Sequence, residues 1–138
     1  MSKVVRRVLL AAVLVSTFFS VTTTPMSALE QKSQPVRHVV VFKYKKGATP
    51  EQIAQVTRAF RELRTKIPGI TAFEDGVNNS PEGKNLGFTH VYLLTFESVA
   101  ARDAYLPHPE HKKFGELLGK LGVLEDAFVV DYVAENSK

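Results

Sequence analysis

Two periodicities run through the chain after about residue 35. The segment "RHVVVFKYK", Arg37 to Lys45, is β-branched and aromatic, which predicts a strand. Alternation puts His38, Val40, Phe42 and Tyr44 on one face and Val39 and Val41 on the other. "GATPEQ" then announces a helix, with Thr49 as N-cap, Pro50 at its first position and Gln52 placed for a capping box. Ile53, Val56, Phe60, Leu63 and Ile67 recur at spacings of three and four, giving one apolar stripe that Pro68-Gly69 ends. A second strand is predicted from Ile70 to Val77, and Asn78 to Asn85 reads as a turn-rich loop. "GFTHVYLLTFE", Gly87 to Glu97, is the strongest strand, with Phe88, His90, Tyr92, Leu94 and Phe96 on one face and Val91 and Leu93 on the other. Ser98 caps a short helix to Tyr105, Pro109 opens another to about Leu121, and "AFVVDYV", Ala127 to Val133, is the last strand.

The order βαββααβ predicts an α+β fold, a ferredoxin-like protomer with an antiparallel four-stranded sheet and helices on one face. Val39, Val41, Val91, Leu93, Val129 and Val133 would then form an apolar open face. Such a patch exceeds what a monomer normally shows, so a second copy packed sheet to sheet, a homodimer, is expected.

Residues 1–28 carry a different pattern. A basic start, "MSKVVRR", precedes a largely apolar run of 14 residues from Val8 to Val21 and a small-residue stretch ending near Ala28. That layout predicts a cleaved signal peptide and export to the periplasm or beyond the cell. The run is shorter than the roughly 20 residues of a spanning helix, so no stable membrane anchor is expected. Residues 29–35 read as a linker, 36–134 as the domain and 135–138 as a tail. Removing residues 1–28 leaves 15 basic against 14 acidic side chains, so the basic balance of the full chain gives no support to nucleic-acid binding. The chain has no cysteine, so packing and oligomerisation must hold the fold without a disulfide. Asn78-Asn79-Ser80 matches a glycosylation sequon, weakened by the proline that follows.

The chemistry-bearing residues gather in "AYLPHPEHKKFG", Ala104 to Gly115. With Pro109 at the first helical position, His108 becomes the N-cap and His111 lies in the first turn, along the stripe of Phe114 and Leu118. Burial and the helix N-terminus favour a neutral imidazole at His111, suited to accept a proton. Tyr105 can offer a phenolic O–H to an oxygen that gains charge. His38 and His90, on the strand faces that carry Phe42 and Tyr92, are expected to converge on the same cavity. A capping His108 and a satisfied core His111 would explain the same corner without chemistry. His108 and His111 with Glu110 or Glu116 are ligand types that zinc accepts, but the proline between the histidines makes joint ligation awkward. No metal and no cofactor is expected.

Together, "RHVVVFKYK", "GFTHVYLLTFES" and "AYLPHPEHKKFGE" resemble the stress-responsive dimeric A/B-barrel (Dabb) family over roughly Val36 to Val133. The resemblance implies a ferredoxin-like protomer whose sheets pair into a dimeric α+β barrel. One plant branch of that family is a polyketide cyclase working without metal or cofactor. Carried onto this chain, its acid/base tyrosine falls on Tyr105 and its histidine on His111, with His38 and His90 lining the pocket and His108 opening the corner. Three functional readings follow: an exported dimeric barrel binding a small, partly apolar molecule through His38, His90, His108, Phe42 and Tyr92; a cofactor-free lyase or cyclase using Tyr105 and His111; or a stress-related oligomer with no ligand.

Overall fold

The computed structural model describes residues 34–135. The expected signal segment, most of the linker and the end of the tail lie outside them. The elements follow the predicted order: β1 (Val36–Tyr44), α1 (Pro50–Lys66), β2 (Ile70–Val77), β3 (His90–Phe96), α2 (Val99–Tyr105), α3 (Pro109–Leu121) and β4 (Leu124–Val133). The four strands form one antiparallel sheet in the order β2-β3-β1-β4. Among the described residues, no helix is long and apolar enough to cross a membrane.

Local chemistry sets the helix limits. Thr49 accepts a hydrogen bond from the Gln52 amide at 3.3 Å, and the Gln52 side chain accepts one from the Thr49 amide at 2.9 Å. This reciprocal box occupies two of the donors that a helix start leaves without partners. The stripe Val56, Phe60, Leu63 is buried against the sheet. His108 caps α3, and Gly122, in the left-handed region at φ 60°, closes it by donating to Leu118 O at 3.0 Å.

Helices cover one side of the sheet, and the core between them consists of Val36, Val40, Phe42, Val56, Phe60, Leu94, Phe96, Tyr92, Tyr105 and Phe114 with their neighbours. Directly opposed residues of an antiparallel pair project to the same face. Val36, His38, Val40 and Phe42 oppose Val133, Asp131, Val129 and Ala127, so the whole set faces the helices. This corrects the expectation that Val129 and Val133 belong to the open face. "AFVVDYV" is apolar at both parities, so its alternation alone has no phase. The open face instead carries Val39, Val41, Val91 and Leu93 with Phe128, Val130 and Tyr132, which are 53%, 40% and 47% exposed. Phe88 also differs from its expected helix-side position. The turn through Gly87, at φ 88°, precedes β3, and the Phe88 ring lies 6.4 Å from Phe128.

Gly69, between α1 and β2, has φ 88° and accepts from the Glu97 amide at 2.9 Å. A Cβ there would lie 2.6 Å from the Ala101 Cβ on α2. Gly69→Ala should destabilise the fold by ~2 kcal/mol in urea denaturation, through both φ and the clash. Adding Ala101→Gly should recover only the steric part. Full stability of the single variant would refute this account.

Candidate functional site

The structure divides the expected site residues between two places. The first is where β1, β4, α2 and α3 meet. Register puts His38 opposite Asp131, and their side chains join through Nδ1 and Oδ1 at 2.5 Å. Arg102, on α2, binds the other oxygen of the same carboxylate and also contacts Asp103 at 2.8 Å. The His38 ring meets Phe96 edge-on at 5.9 Å and Tyr105 at 5.7 Å. The Tyr105 ring also packs against the His111 ring, with centroids 4.2 Å apart.

Partners fix the protons in this cluster. A carboxylate and a backbone carbonyl can only accept, so Nδ1 of His38 donates to Asp131 and Nδ1 of His111 donates to Leu106 O, 3.0 Å away. In the neutral form each imidazole then presents Nε2 as an acceptor. Tyr105 is fully buried, and its hydroxyl has no hydrogen-bond partner among the described residues. Burial, and secondarily the Asp131 charge, push its pKa well above that of a free phenol, so the group stays a donor. An unpartnered buried hydroxyl is unusual enough to require a cause.

His108 is engaged otherwise, its Nδ1 accepting from the Glu110 amide at 3.2 Å as a cap. Phe42 is a core residue, packed on Phe60 at 6.0 Å and Tyr92 at 5.1 Å. His38 and His90 do not converge as expected. His90 opposes Phe42 and so lies four register steps from His38, roughly 13 Å along the sheet. Phe60, stacked on Phe114 at 4.5 Å and tilted against Tyr92 at 5.0 Å, fills core space between these regions.

The second place is a cleft of about 540 Å³ between α1 and the β2–β3 edge. Its α1 wall is Pro50, Ile53, Ala54, Thr57, Arg58 and Arg61; Asp75, Gly76, Val77, His90 and Tyr92 complete it. The Tyr92 hydroxyl lies 2.9 Å from Thr57 Oγ1 and 3.1 Å from the Tyr44 hydroxyl. Burial, then the contact with Tyr92, raises the Tyr44 pKa far above its ordinary value. The His90 ring meets Tyr44 edge-on at 4.9 Å, and its Nδ1 lies 2.9 Å from Thr89 Oγ1. Neither Tyr105 nor His111 borders this cleft. Among the described residues no three His, Cys, Asp or Glu side chains gather so as to hold a metal ion.

Sequence reasoning missed Asp131, Arg102, Thr57, Tyr44 and Arg61. Asp131 carried a usable signal, being the lone acid within the apolar segment "AFVVDYV". Arg102 and Thr57 carried none, since each looks like ordinary helix surface.

A family model described as Stress Responsive A/B Barrel Domain matches residues 36–134. The stress-response A/B barrel domain-containing protein HS1 of Arabidopsis thaliana is 35% identical over 104 residues, 75% of this chain and 94% of that protein. Olivetolic acid cyclase of Cannabis sativa is 32% identical over 82 residues, 59% and 81% of the two chains. Among solved structures, a hydroxynitrile lyase from Passiflora edulis superposes with TM-score 0.68 at 27% identity, covering 76% of this chain and 97% of that one. A ferredoxin-like protein from Jannaschia sp. CCS1, described as dimeric and of unknown function, does so with TM-score 0.62 at 27% identity, covering 72% and 99%.

Burial lowers the His90 pKa below its ordinary 6.5. The unfolded chain therefore takes up this proton near pH 6.5 while the folded chain still resists it, so His90 withdraws stability as pH falls through that value. The urea midpoint should fall less between pH 7.5 and 5.5 in His90→Gln than in the wild type. Equal losses would refute the assignment.

Proposed function

The chain belongs to the stress responsive A/B barrel domain family, and on that premise we propose that it works as a homodimeric barrel binding one small, partly apolar molecule per protomer. The observation that carries this reading is the cleft beside α1, where apolar Ile53, Ala54 and Val77 stand with polar Thr57, Tyr92 and His90. Its volume suits a small organic molecule. A thermal-shift screen of small amphipathic compounds, read alongside native mass spectrometry, tests it. Stoichiometric binding of one class supports the reading, and a uniformly silent screen overturns it. The basic start and apolar run within residues 1–28 support export, which N-terminal sequencing of secreted protein would check.

Dimerisation is supported by the open sheet face, where exposed Phe128, Val130 and Tyr132 lie with half-buried Val39, Val41, Val91 and Leu93, and by the dimeric description of the Jannaschia neighbour. At roughly 25 cal/mol per Å² of apolar area, pairing two such faces offsets the cost of association. Leu93→Asp would set a carboxylate in the seam twice, once from each copy. Sedimentation should show a dimer for the wild type and a monomer or unfolded chain for the variant. A stable wild-type monomer at micromolar concentration would overturn the dimer.

A second reading rests on the unpartnered Tyr105 hydroxyl, whose ring packs against the His38 and His111 rings. As a cyclase step, an Nε2 accepts a proton from a substrate C–H, the carbanion adds to a carbonyl carbon, and the phenol donates to the carbonyl oxygen that gains charge. As a lyase step, without a cofactor in either case, an Nε2 accepts the O–H proton as the adjacent C–C bond breaks, and the leaving carbanion takes a proton from the phenol. The relatives named as a hydroxynitrile lyase and a cyclase support it by likeness. Tyr105→Phe loses a hydroxyl that bonds to nothing, so its melting temperature should stay within about 2 °C of the wild type. Any turnover of cyanohydrins or β-keto thioesters should fall at least a hundredfold in that variant. No turnover by the wild type, or undiminished turnover by the variant, would remove this reading.

A further inference from the structure

The cleft beside α1 has a charge pattern that its apolar wall does not explain. Arg61 is engaged with Asp75, its Nε and Nη2 reaching one carboxylate oxygen at 3.2 and 2.7 Å. Arg58, one turn earlier on the same wall, makes no ion pair or side-chain hydrogen bond among the described residues. The nearby acid on α1, Glu62, is bound to Lys66 at 2.8 Å. His90 adds no charge at neutral pH, because burial disfavours its protonated form. With Asp75 paired to Arg61 and Glu62 to Lys66, Arg58 is the cleft-lining cation without a close partner among the described residues, feeling Glu62 only through space.

The floor contributes a hydrogen-bond donor. Tyr44, Tyr92 and Thr57 form a chain of three hydroxyls with two contacts between them. Three O–H groups serve two contacts, so one proton remains for an outside acceptor. When Tyr44 donates to Tyr92, the remaining proton is on Thr57 or Tyr92. Both border the cleft.

We propose that the cleft takes a small monocarboxylate with an apolar tail, its carboxylate held by Arg58 and the hydroxyl chain, its tail along Ile53, Ala54 and Val77. This rests on the cleft-binding reading above and names its ligand class. One free cation matches one anionic charge, whereas a phosphate monoester brings nearly two and a primary amine would meet Arg58 with like charge.

The test titrates the full-length protein with octanoate, methyl octanoate and octylamine by calorimetry at pH 7.5, mapping amide shifts. Octanoate should bind at least about tenfold more tightly than its ester or the amine, and shift Thr57, Tyr92 and His90. Arg58→Gln should remove that preference, and Arg58→Lys should restore part of it. Arg58 is exposed, so both variants should fold, and circular dichroism verifies this. If octanoate and ester bind equally and Arg58→Gln alters neither, the carboxylate class is wrong and the cleft reading stands. Binding of none of the three probes, or shifts that avoid the cleft, overturns the proposal; silence across a broader screen overturns the cleft reading as well.

Discussion

The phase of strand β4 depends on one polar contact. Its segment "AFVVDYV" offers apolar side chains at both parities, so burial alone separates its two possible faces poorly. Asp131 decides between them. In the observed register its carboxylate meets His38 on one oxygen and Arg102 on the other. A slip of one residue would carry Asp131 to the open face and leave His38 opposite Val130 or Tyr132. That would strand a buried imidazole without its acceptor, a cost of about 1–3 kcal/mol, against little change in apolar burial. The contact therefore acts as a register pin, the use for which polar pairs within apolar surroundings are best attested.

Everything on the open face follows from that choice. With Val129, Asp131 and Val133 turned toward the helices, Phe128, Val130 and Tyr132 must turn away. Phe88 crosses to meet Phe128, and an apolar hollow of about 310 Å³ forms there among Val41, Leu86, Phe88, Val91 and Phe128. The surface that calls for a second copy is thus more aromatic than a valine stripe would be. It owes this character to an ion pair on the opposite side of the sheet.

The helices, and the order of elements along the chain, were legible because each is announced locally. Thr49-Pro50-Gln52 specifies the start of α1, Pro68-Gly69 its end, and His108-Pro109 the start of α3, through contacts within a few residues. The face of β1 was legible because its neighbour β3 alternates in step with it. The phase of β4 was not, since it is set by residues 93 and 29 positions away in sequence. The site shows the same division. Tyr105, His108 and His111 share one corner, and their local relation was readable. Whether His38 and His90 share a cavity depends on how many register steps separate them, which no single strand encodes.

The aromatic core is what gives the protomer two chemically distinct regions. Phe60 touches Phe42, Phe73, Tyr92 and Phe114, so four elements meet on one side chain. On the α2–α3 side of the sheet are imidazoles with oriented protons and a phenol kept neutral by burial; beside α1 are a cleft, a free cation and a hydroxyl chain. Close-packed aromatic interiors move by discrete rotamer changes rather than by gradual deformation. A ligand lying in the cleft meets Tyr92, which itself packs on Phe60. Phe60 also stacks on Phe114, on the helix that carries His111, so one ring packs against the walls of both regions.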